Sequence, residues 1–265
     1  MAHSLSPTVH NAAFAAAGLD MVYVPLPVRA RDVGAAVNGL AALGFRGANV
    51  TVPHKGAVIP YLDWLDDDAR LAQAVNTIVV EDGVLRGYNT DIDGARTALV
   101  GVCGDSLRDS RALVLGAGGA ARAVGLALAR LGAVLTVVNR TGAGAERLAA
   151  LAEAAVPGAA CRWLPLDELT AADVAQQSLL VNATSLGMAG AGKVPASLVD
   201  TVSAGQVVFD VVYGRTETDL LRQARSRGAQ TVDGRAMFLA QAMGAFLLWT
   251  GQTPPICVMQ TALNA

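Results

Sequence analysis

The sequence has few cysteines and little charge, and each shortage excludes a class of protein. Its three cysteines, Cys103, Cys161 and Cys257, are odd in number and form no CxxC pattern, so they indicate neither a disulfide framework nor a zinc site. Charged residues make up 16% of the chain and the net charge is -2, so general attraction to nucleic acid or anionic lipid is not expected. We therefore predict reduced cysteines and no nucleic acid partner.

The sequence also lacks a segment suited to a membrane, an export signal or a metal. Its most apolar stretch, residues 112–138, is interrupted by glycines, Arg122 and Arg130, and no basic segment followed by an apolar one opens the chain. The three histidines form no metal-ligand cluster. We predict a cytoplasmic protein with no membrane partner and no bound metal.

Apolar residues are abundant and recur in an alternating pattern. They make up 53% of 265 residues, a length above the usual single domain of about 100 to 150 residues. Runs rich in β-branched residues at 21–26, 47–52 and 77–80 alternate with helical spacing, as at 32–43, which is typical of a parallel α/β sheet. We therefore predict an α/β protein of two domains.

The pattern resumes after a polar stretch at residues 103–111, and it then has the order of a doubly wound domain. A linking helix is predicted at 91–100, and a nearly all-apolar helix that begins at Gly234 should be buried and return to the first domain. The elements predicted in the second block are strands at 112–115, 134–138, 179–182 and 207–212 and a helix at 121–131.

A glycine-rich turn in the second block is placed to bind a dinucleotide. Residues 116–121, Gly-Ala-Gly-Gly-Ala-Ala, follow a predicted strand and open a helix, where backbone N–H groups can hold a pyrophosphate. A packing turn is the alternative. The next strand ends at Asn139-Arg140-Thr141, without the acid that usually takes the ribose hydroxyls of NAD. A guanidinium there suits the 2′-phosphate of NADP, and a solvated surface arginine is the alternative.

Two charges in the first block are candidates for proton transfer. Lys55 follows a proline that should end a buried strand, and Asp91 stands just before the linking helix. Ligands bind at such loop positions in open α/β sheets, and a carboxylate can orient an ammonium that protonates a developing alkoxide. Taken alone, Lys55 and Asp91 are each more simply explained as ordinary surface residues.

Three polar side chains have less specific surroundings. Ser4 and Ser6 present two hydroxyls that could bind a carboxylate, or that could cap a helix over residues 11–17, which the spacing alone favours. Gln241 is the one amide in a nearly all-apolar helix, and either a ligand hydroxyl or a protein carbonyl would satisfy it.

Taken in order along the chain, these motifs resemble those of the shikimate dehydrogenase family. The resemblance implies NADPH-dependent, reversible reduction of 3-dehydroshikimate to shikimate on the route to chorismate and the aromatic amino acids. It rests on His3-Ser-Leu-Ser-Pro7, Asn49-Val-Thr-Val-Pro-His-Lys55, Ala74-Val-Asn-Thr77, Asn89-Thr-Asp91, Gly116-Ala-Gly-Gly-Ala120, Asn139-Arg-Thr141, Asn182-Ala-Thr-Ser-Leu-Gly-Met188 and Asp210-Val-Val-Tyr213.

The resemblance also implies roles for individual residues. Lys55 is the acid/base residue and Asp91 its partner at the substrate. Ser4 and Ser6 hold the substrate carboxylate, and here the resemblance overrules the helix cap. The remaining substrate contacts are Thr51, Asn76, Tyr213 and Gln241, and the cofactor contacts are Asp67, Gly116, Ala117, Gly118, Gly119, Ala120, Asn139, Arg140, Thr141, Val211 and Gly234.

The fold class implied is α/β with two domains and a cleft between them. Residues 1–92 plus 235–265 form an N-terminal α/β substrate-binding and catalytic domain, and residues 93–234 form a Rossmann-type doubly wound NADP domain. The partner is a small-molecule substrate, and the chain is expected to be a monomer or a homodimer.

The sequence departs from the family pattern in two places. The family usually has a strand and a Gly-x-Pro turn before the His-Ser-x-Ser motif, whereas only Met1 and Ala2 precede His3 here. We therefore expect a central strand to be missing, because the start is misassigned or truncated or because the first domain is built differently. The family also has a second basic residue shortly after Asn-Arg-Thr, where this chain has Gly142-Ala-Gly144. Use of NAD therefore stays open.

Two alternatives to the main reading follow. One is a quinate/shikimate dehydrogenase with NAD tolerance, although relatives that favour quinate often have threonine at the position of Ser6. The other is a relative that senses NADP or shikimate without turnover, against which the presence of both Lys55 and Asp91 argues.

Overall fold

A computed structural model describes residues 4–104, 107–188, 190–214 and 216–265. These residues form two compact units: the described part of Met1–Thr90 with Phe238–Ala265, called unit 1, and the described part of Asp91–Met237, called unit 2. These units are defined by compactness alone. The boundaries predicted from the sequence for a substrate-binding domain and an NADP domain stay a prediction. None of the described helices is long and apolar enough to cross a membrane.

Strands and helices alternate along most of the described chain. The strands are β1 Gly47–Asn49, β2 Trp64–Leu65, β3 Thr77–Glu81, β4 Val84–Tyr88, β5 Arg111–Leu115, β6 Val134–Asn139, β7 Cys161–Pro165, β8 Leu179–Asn182, β9 Val207–Asp210 and β10 Gln230–Asp233. The helices are α1 Ser6–Ala16, α2 Val33–Ala42, α3 Asp67–Ala72, α4 Thr90–Cys103, α5 Gly119–Arg130, α6 Gly142–Ala155, α7 Ala171–Ala175, α8 Ala196–Val199, α9 Asp219–Ser226, α10 Gly234–Thr250 and α11 Ile256–Asn264.

Unit 2 is the doubly wound domain that the sequence predicts. Its strands pair in the order β10-β9-β8-β5-β6-β7, and every pair is parallel. Central strands are apolar on both faces because helices cover both sides of such a sheet, and Leu113, Leu115, Leu180 and Val208 are buried in one core. The strand order reverses between β5 and β8, so ligands are expected at the carboxyl ends of these two strands.

The sheet of unit 1 differs from the parallel sheet predicted for the first block. Its order is β1-β3-β4-β2, in which β3 pairs antiparallel with both β1 and β4, and β2 pairs parallel with β4. The reason is the two-residue turn Asp82-Gly83, where φ is 50° and 79°. Asp-Gly with two positive φ values joins adjacent strands as a hairpin, which forces an antiparallel pair.

The strand predicted at residues 21–26 is wrong, because no strand is formed there. At Tyr23, the side chain of Asn11 makes the backbone hydrogen bonds that a neighbouring strand would otherwise make. Asn11 Nδ2 donates to the Tyr23 carbonyl at 3.0 Å, and the Tyr23 N–H donates to Asn11 Oδ1 at 2.6 Å. A chain segment whose backbone is held in this way is ordered without belonging to a sheet.

The strands predicted at residues 47–52 and 207–212 are shorter than expected. After each strand ends, one further backbone hydrogen bond to the neighbouring chain segment is formed. β1 ends at Asn49, after which the Val50 N–H donates to the Asn76 carbonyl at 2.8 Å. β9 ends at Asp210, after which the Val211 N–H donates to the Asn182 carbonyl at 2.9 Å. In each case the chain leaves the sheet where the site-forming loop begins.

The long C-terminal helix confirms the prediction that the chain returns to the first unit. α10 begins at Gly234 in unit 2, and from Phe238 onward it belongs to unit 1. There Phe246 and Trp249 are buried against Val9 and Phe14 of α1 and Met259 of α11. This packing fixes the helix that contains Gln241.

Candidate active site

The loop after β5 has the backbone geometry of a phosphate-binding turn. Gly116 has φ 112°, and its N–H donates to the Val138 carbonyl at 2.7 Å. A Cβ at this position would lie 3.0 Å from Thr184 Cγ2 and 3.1 Å from the Ala183 carbonyl oxygen. Only glycine combines this φ with this close approach to the loop that follows β8.

The first turn of α5 leaves its backbone N–H groups available to a ligand. The helix begins at Gly119, and Gly118 is the N-cap residue, so no side chain caps the helix. The N–H groups of a helix N-terminus together attract an anion. Gly116 to Ala120 therefore form a close turn and an uncapped helix start that suit an anion, and their contact with a pyrophosphate stays a prediction.

The loop after β6 presents one free guanidinium. Arg140 is exposed and makes no hydrogen bond or ion pair with the described residues. Beside it, Asn139 Nδ2 donates to the carbonyl and to Oγ1 of Thr141, each at 3.0 Å. Asn139 thus shapes the loop, while Arg140 is available for an anionic group.

Gly144 ends the stretch Gly142-Ala-Gly144, in which the family resemblance implies a second basic residue. A Cβ there would lie 2.8 Å from Asn139 Nδ2 and 3.2 Å from Ala117 Cβ. The absence of a side chain lets the loop after β6 pack directly on the glycine-rich turn after β5. Any larger residue at position 144 requires the Asn139 amide to move.

A buried carboxyl group joins the loops that follow β8 and β9. Asp210 Oδ1 accepts from Asn182 Nδ2 at 2.9 Å and from the Val212 N–H at 3.1 Å, and its Oδ2 accepts from Thr218 Oγ1 at 2.6 Å. Burial raises the pKa of Asp210 to about 6, against the opposing effect of these three donors. Asn182 Oδ1 in turn accepts from the Thr184 N–H and hydroxyl.

The start of α10 packs closely on the loop after β9. A Cβ at Gly234 would lie 2.5 Å from the Val211 carbonyl oxygen, so only glycine fits without a shift of the backbone. Arg235 Nε donates to the Gly214 carbonyl at 3.0 Å. These contacts fix the loop from which the exposed side chain of Tyr213 projects.

In unit 1, Asn76 is the centre of a buried polar cluster. Its Oδ1 accepts from the Thr90 N–H at 2.8 Å, and its Nδ2 donates to Thr90 Oγ1 at 2.9 Å and to Gln241 Oε1 at 3.4 Å. Thr77 Oγ1 also donates to Asn76 Oδ1, at 3.1 Å. Gln241 Nε2 donates to the Phe238 carbonyl at 2.9 Å. A protein carbonyl therefore satisfies one end of the Gln241 amide.

The two serines lie at the start of α1. The helix begins at Ser6, earlier than the predicted residue 11, and Leu5 is its N-cap residue, so the helix-cap interpretation of the serines is wrong. Ser4 Oγ accepts from the Ser6 N–H at 3.3 Å, and Ser4 is exposed. Ser6 is half-buried. Both serine hydroxyls thus lie on one turn of chain.

Tyr23 and Asn49 extend the Asn76 cluster. The Tyr23 hydroxyl donates to Asn49 Oδ1 at 3.1 Å. Asn49 Nδ2 donates to the Asn76 carbonyl and to Thr77 Oγ1, each at 3.2 Å. One hydrogen-bonded chain therefore joins Tyr23, Asn76 and the Gln241 amide, which lie far apart in the sequence.

Thr51 and Lys55 belong to the segment that runs beside this cluster. The Val50 N–H donates to the Asn76 carbonyl, and the Lys55 carbonyl accepts from the Val75 N–H, each at 2.8 Å. Thr51 is exposed and Lys55 is half-buried. Backbone bonds on both sides of Asn76 thus hold the residues predicted to act on the substrate.

The structure describes the two predicted aspartates in different units. Asp67 is exposed in the first turn of α3 in unit 1, with its Oδ1 2.6 Å from Arg70 Nη1. Asp91 is buried in the first turn of α4, directly after the Thr90 that Asn76 contacts. Their roles at the cofactor and the substrate stay predictions.

Sequence reasoning assigned no role to Tyr23, Asn49, Thr77, Thr90 or Asp210. Asn49 and Thr77 flank predicted site residues within their motifs, and each is a polar residue in an otherwise apolar strand. That signal could have identified them as partners of buried groups. Tyr23 had no such signal, because it lay in a segment interpreted as a strand.

Comparison with known proteins gives the same assignment along nearly the whole chain. A profile described as the shikimate dehydrogenase substrate binding domain matches residues 1–78. The shikimate dehydrogenase (NADP(+)) of Moorella thermoacetica is 48% identical over 264 residues, which are 99% of this chain and 89% of that protein.

Solved structures agree with the sequence comparison. A shikimate dehydrogenase in complex with NADP+ superposes with a TM-score of 0.90 at 39% identity, covering 98% of this chain and 90% of that one. Quinate dehydrogenase from Corynebacterium glutamicum, in complex with NAD, superposes with a TM-score of 0.88 at 33% identity, covering 98% of this chain and 93% of that one. With relatives this similar over this much of its length, the chain belongs to the shikimate dehydrogenase family.

Proposed function

We propose that the chain catalyses the reversible, NADP-dependent interconversion of 3-dehydroshikimate and shikimate. The observation that supports this most directly is the polar cluster of unit 1, in which Asn49, Asn76 and Gln241 belong to one hydrogen-bonded chain. A substrate with a carboxylate and several hydroxyls needs such a set of fixed, buried polar partners. The glycine-rich turn of unit 2 supports the nucleotide half of the reaction.

The residues of unit 2 fit NADP. The close approach at Gly116 and the uncapped N-terminus of α5 suit a pyrophosphate, with Ala117, Gly118, Gly119 and Ala120 completing the turn. The unpaired Arg140 suits the 2′-phosphate, and Asn139 and Thr141 shape its loop. Val211 and Gly234, with Asp67, complete the proposed contacts. When bound, the cofactor supplies the hydride.

The chain's own residues would bind the substrate and move the proton. Ser4 and Ser6 hold the carboxylate, and Thr51, Asn76, Tyr213 and Gln241 hold the ring hydroxyls and the remaining carboxylate oxygen. Lys55 gives a proton from its ammonium to the carbonyl oxygen as that oxygen gains charge, and in the reverse direction its neutral amine takes the proton back. Asp91 orients the Lys55 ammonium at the substrate.

The test is a spectrophotometric assay with shikimate and quinate, each with NADP and NAD, that follows the reduced nicotinamide. We expect the highest kcat/KM with shikimate and NADP. Absence of turnover with all four pairs, in a chain that binds NADPH, would instead support a sensing role.

A second candidate is a quinate/shikimate dehydrogenase that accepts NAD. The observation that favours it is Gly144, which supplies no second positive charge beside Arg140. Among the described residues, Arg140 is then the only guanidinium in the loop after β6 that could bind a 2′-phosphate. A quinate dehydrogenase in complex with NAD has the same fold. Equal kcat/KM for quinate and shikimate, with either cofactor, would support this candidate.

Two finer expectations remain part of the proposal. We propose a cytoplasmic location, as for an enzyme of small-molecule biosynthesis. A monomer or a homodimer is expected, and sedimentation velocity at two concentrations would distinguish them.

A further inference from the structure

The loop after β8 packs directly on the glycine-rich turn after β5. Asn182 Oδ1 accepts from the Thr184 N–H at 3.2 Å and from the Thr184 hydroxyl at 2.6 Å. Thr184 Oγ1 in turn accepts from the Leu186 N–H at 3.0 Å. Thr184 Cγ2 lies 3.0 Å from the place where a Cβ of Gly116 would stand. A shift of Thr184 would therefore change the space beside Gly116.

The Asn182 amide is held in one orientation and is fully bonded. Its oxygen has two lone pairs, which the N–H and the hydroxyl of Thr184 fill. One proton of its nitrogen goes to the Leu186 carbonyl and the other to Asp210 Oδ1, each at 2.9 Å. A flip of the amide would bring its nitrogen against the Thr184 N–H. Within the described chain, the bond to Asp210 is the one by which this amide is anchored outside its own loop.

Asp210 connects that loop to two further segments. Its Oδ1 also accepts from the Val212 N–H at 3.1 Å, in the loop after β9. Its Oδ2 accepts at 2.6 Å from Thr218 Oγ1, and Thr218 is the N-cap residue of α9. Asp210 is fully buried, so its carboxyl group depends on these donors in place of water. One side chain thus holds three segments together.

We propose that Asp210 is a positioning residue for the cofactor site. Through Asn182 it holds the loop after β8 where Thr184 packs beside Gly116. A turn that is shaped before the ligand arrives spares the ligand the entropy cost of ordering it. This inference rests on the proposed function, in which the turn at Gly116 binds the pyrophosphate. Both nicotinamide cofactors contain the pyrophosphate, so Asp210 should affect both equally.

The test is isothermal titration calorimetry of Asp210→Ala and Asp210→Asn with NADPH and NADH. We expect Asp210→Ala to raise both Kd values by the same factor, about threefold to tenfold, as loss of one hydrogen bond implies. Asp210→Asn keeps an oxygen that can accept from Asn182 and Val212, and its amide can donate to the Thr218 hydroxyl. It should therefore recover most of the affinity.

The matched control is Gln206→Ala, at the other end of the same strand. Gln206 is buried and lies directly before β9, whereas Asp210 ends it. Its amide also makes three hydrogen bonds of 3.1 Å or less, with the Ser203 N–H and with the carbonyls of Val174 and Gln177. Gln206→Ala should therefore lower Tm as Asp210→Ala does, while both Kd values stay unchanged.

The outcomes separate this inference from the proposed function. If Asp210→Ala binds both cofactors like the unsubstituted chain, or if Gln206→Ala weakens them equally, Asp210 has no positioning role and the proposed function stands. The positioning role is also wrong if only NADPH is weakened, or if Asp210→Asn binds as weakly as Asp210→Ala, because charge would then be the cause. If the unsubstituted chain binds neither cofactor, the proposed function itself is wrong and this inference fails with it.

A measurement on the unsubstituted protein covers the case in which Asp210→Ala does not fold. Amide hydrogen exchange, resolved by NMR, is compared without ligand and with ADP-ribose, which has the pyrophosphate but no nicotinamide. Because Asp210 joins the two loops, ADP-ribose should slow exchange at both Thr184 and Val212 and leave Ser203 unchanged. Slowing at Thr184 without slowing at Val212, equal slowing at Ser203, or no slowing at all would overturn the inference.

Discussion

Removal of the Arg140 guanidinium should distinguish the two nicotinamide cofactors. Arg140 is exposed and pairs with none of the described residues, so Arg140→Ala should leave the fold and its stability nearly unchanged. The neighbouring Gly144 supplies no second charge. In the proposed NADP site, the selectivity of this loop for a 2′-phosphate would therefore depend on Arg140 alone among the described residues.

The magnitude follows from one charge-assisted contact. A hydrogen bond to a charged group contributes about 1.5 to 3 kcal/mol, which corresponds to about 10-fold to 150-fold in Kd. Because Arg140 is solvent-exposed, we expect the lower part of this range at physiological salt and a larger effect at low salt. The Kd of NADPH should rise by that factor, and the Kd of NADH, which lacks the phosphate, should not change.

Isothermal titration calorimetry with NADPH and NADH provides the measurement, and Arg111→Ala is the control. Arg111 is also exposed, but it begins β5, at the strand end opposite Gly116, and its Nη1 donates to Gln176 Oε1 at 3.0 Å. It therefore reports the general effect of one lost positive charge. Equal weakening of both cofactors by Arg140→Ala, or equal effects of the two variants on NADPH, would refute the reasoning.

Three further substitutions test other parts of the site. Lys55→Ala should lower kcat by about 10²-fold to 10⁴-fold while the Kd of NADPH stays the same, and retained turnover would remove Lys55 from its role. Gly234→Ala places a Cβ 2.5 Å from the Val211 carbonyl oxygen, so it should lower Tm and weaken NADPH; an unchanged thermal-shift curve would contradict this close contact. In the folded state the pKa of Asp210 is raised from 3.8 to about 6, so the native state binds more protons between these values, and the free energy of unfolding should fall by about 2 kcal/mol as pH rises from 4 to 6. Asp210→Asn should remove that loss in urea unfolding at a series of pH values, and the same pH dependence in the variant would exclude Asp210 as its source.

The parts of the fold that the sequence predicted well are those governed by local rules. The strand at residues 179–182 was predicted at its observed bounds, because its three apolar residues and the buried Asn182 leave no solvent-exposed face, as in a strand covered on both sides. Gly116 was identified because its position between a strand and a helix requires a residue without a side chain. The role of Arg140 stays a prediction, and the structure shows that its side chain is exposed directly after β6.

The failures arose where a nonlocal partner replaced the expected one. The segment around Tyr23 has the composition of a strand, but Asn11 occupies the hydrogen bonds that a strand would use. The parallel pattern of the first block was overruled by the Asp82-Gly83 turn, a short-range signal that was present in the sequence and was missed.

By itself the sequence determined the family, the doubly wound unit and the identity of most proposed site residues, because spacing around glycine, proline and apolar runs is a local property. Only the tertiary structure decided which side chains hold those residues. The bonds from Asn11 through Tyr23 and Asn49 to Asn76 join four segments, and the bonds of Asp210 join the loops after two strands. Hydrogen bonds depend on distance and angle in three dimensions, and residues that are remote along the chain meet these conditions only after the sheets have formed and packed.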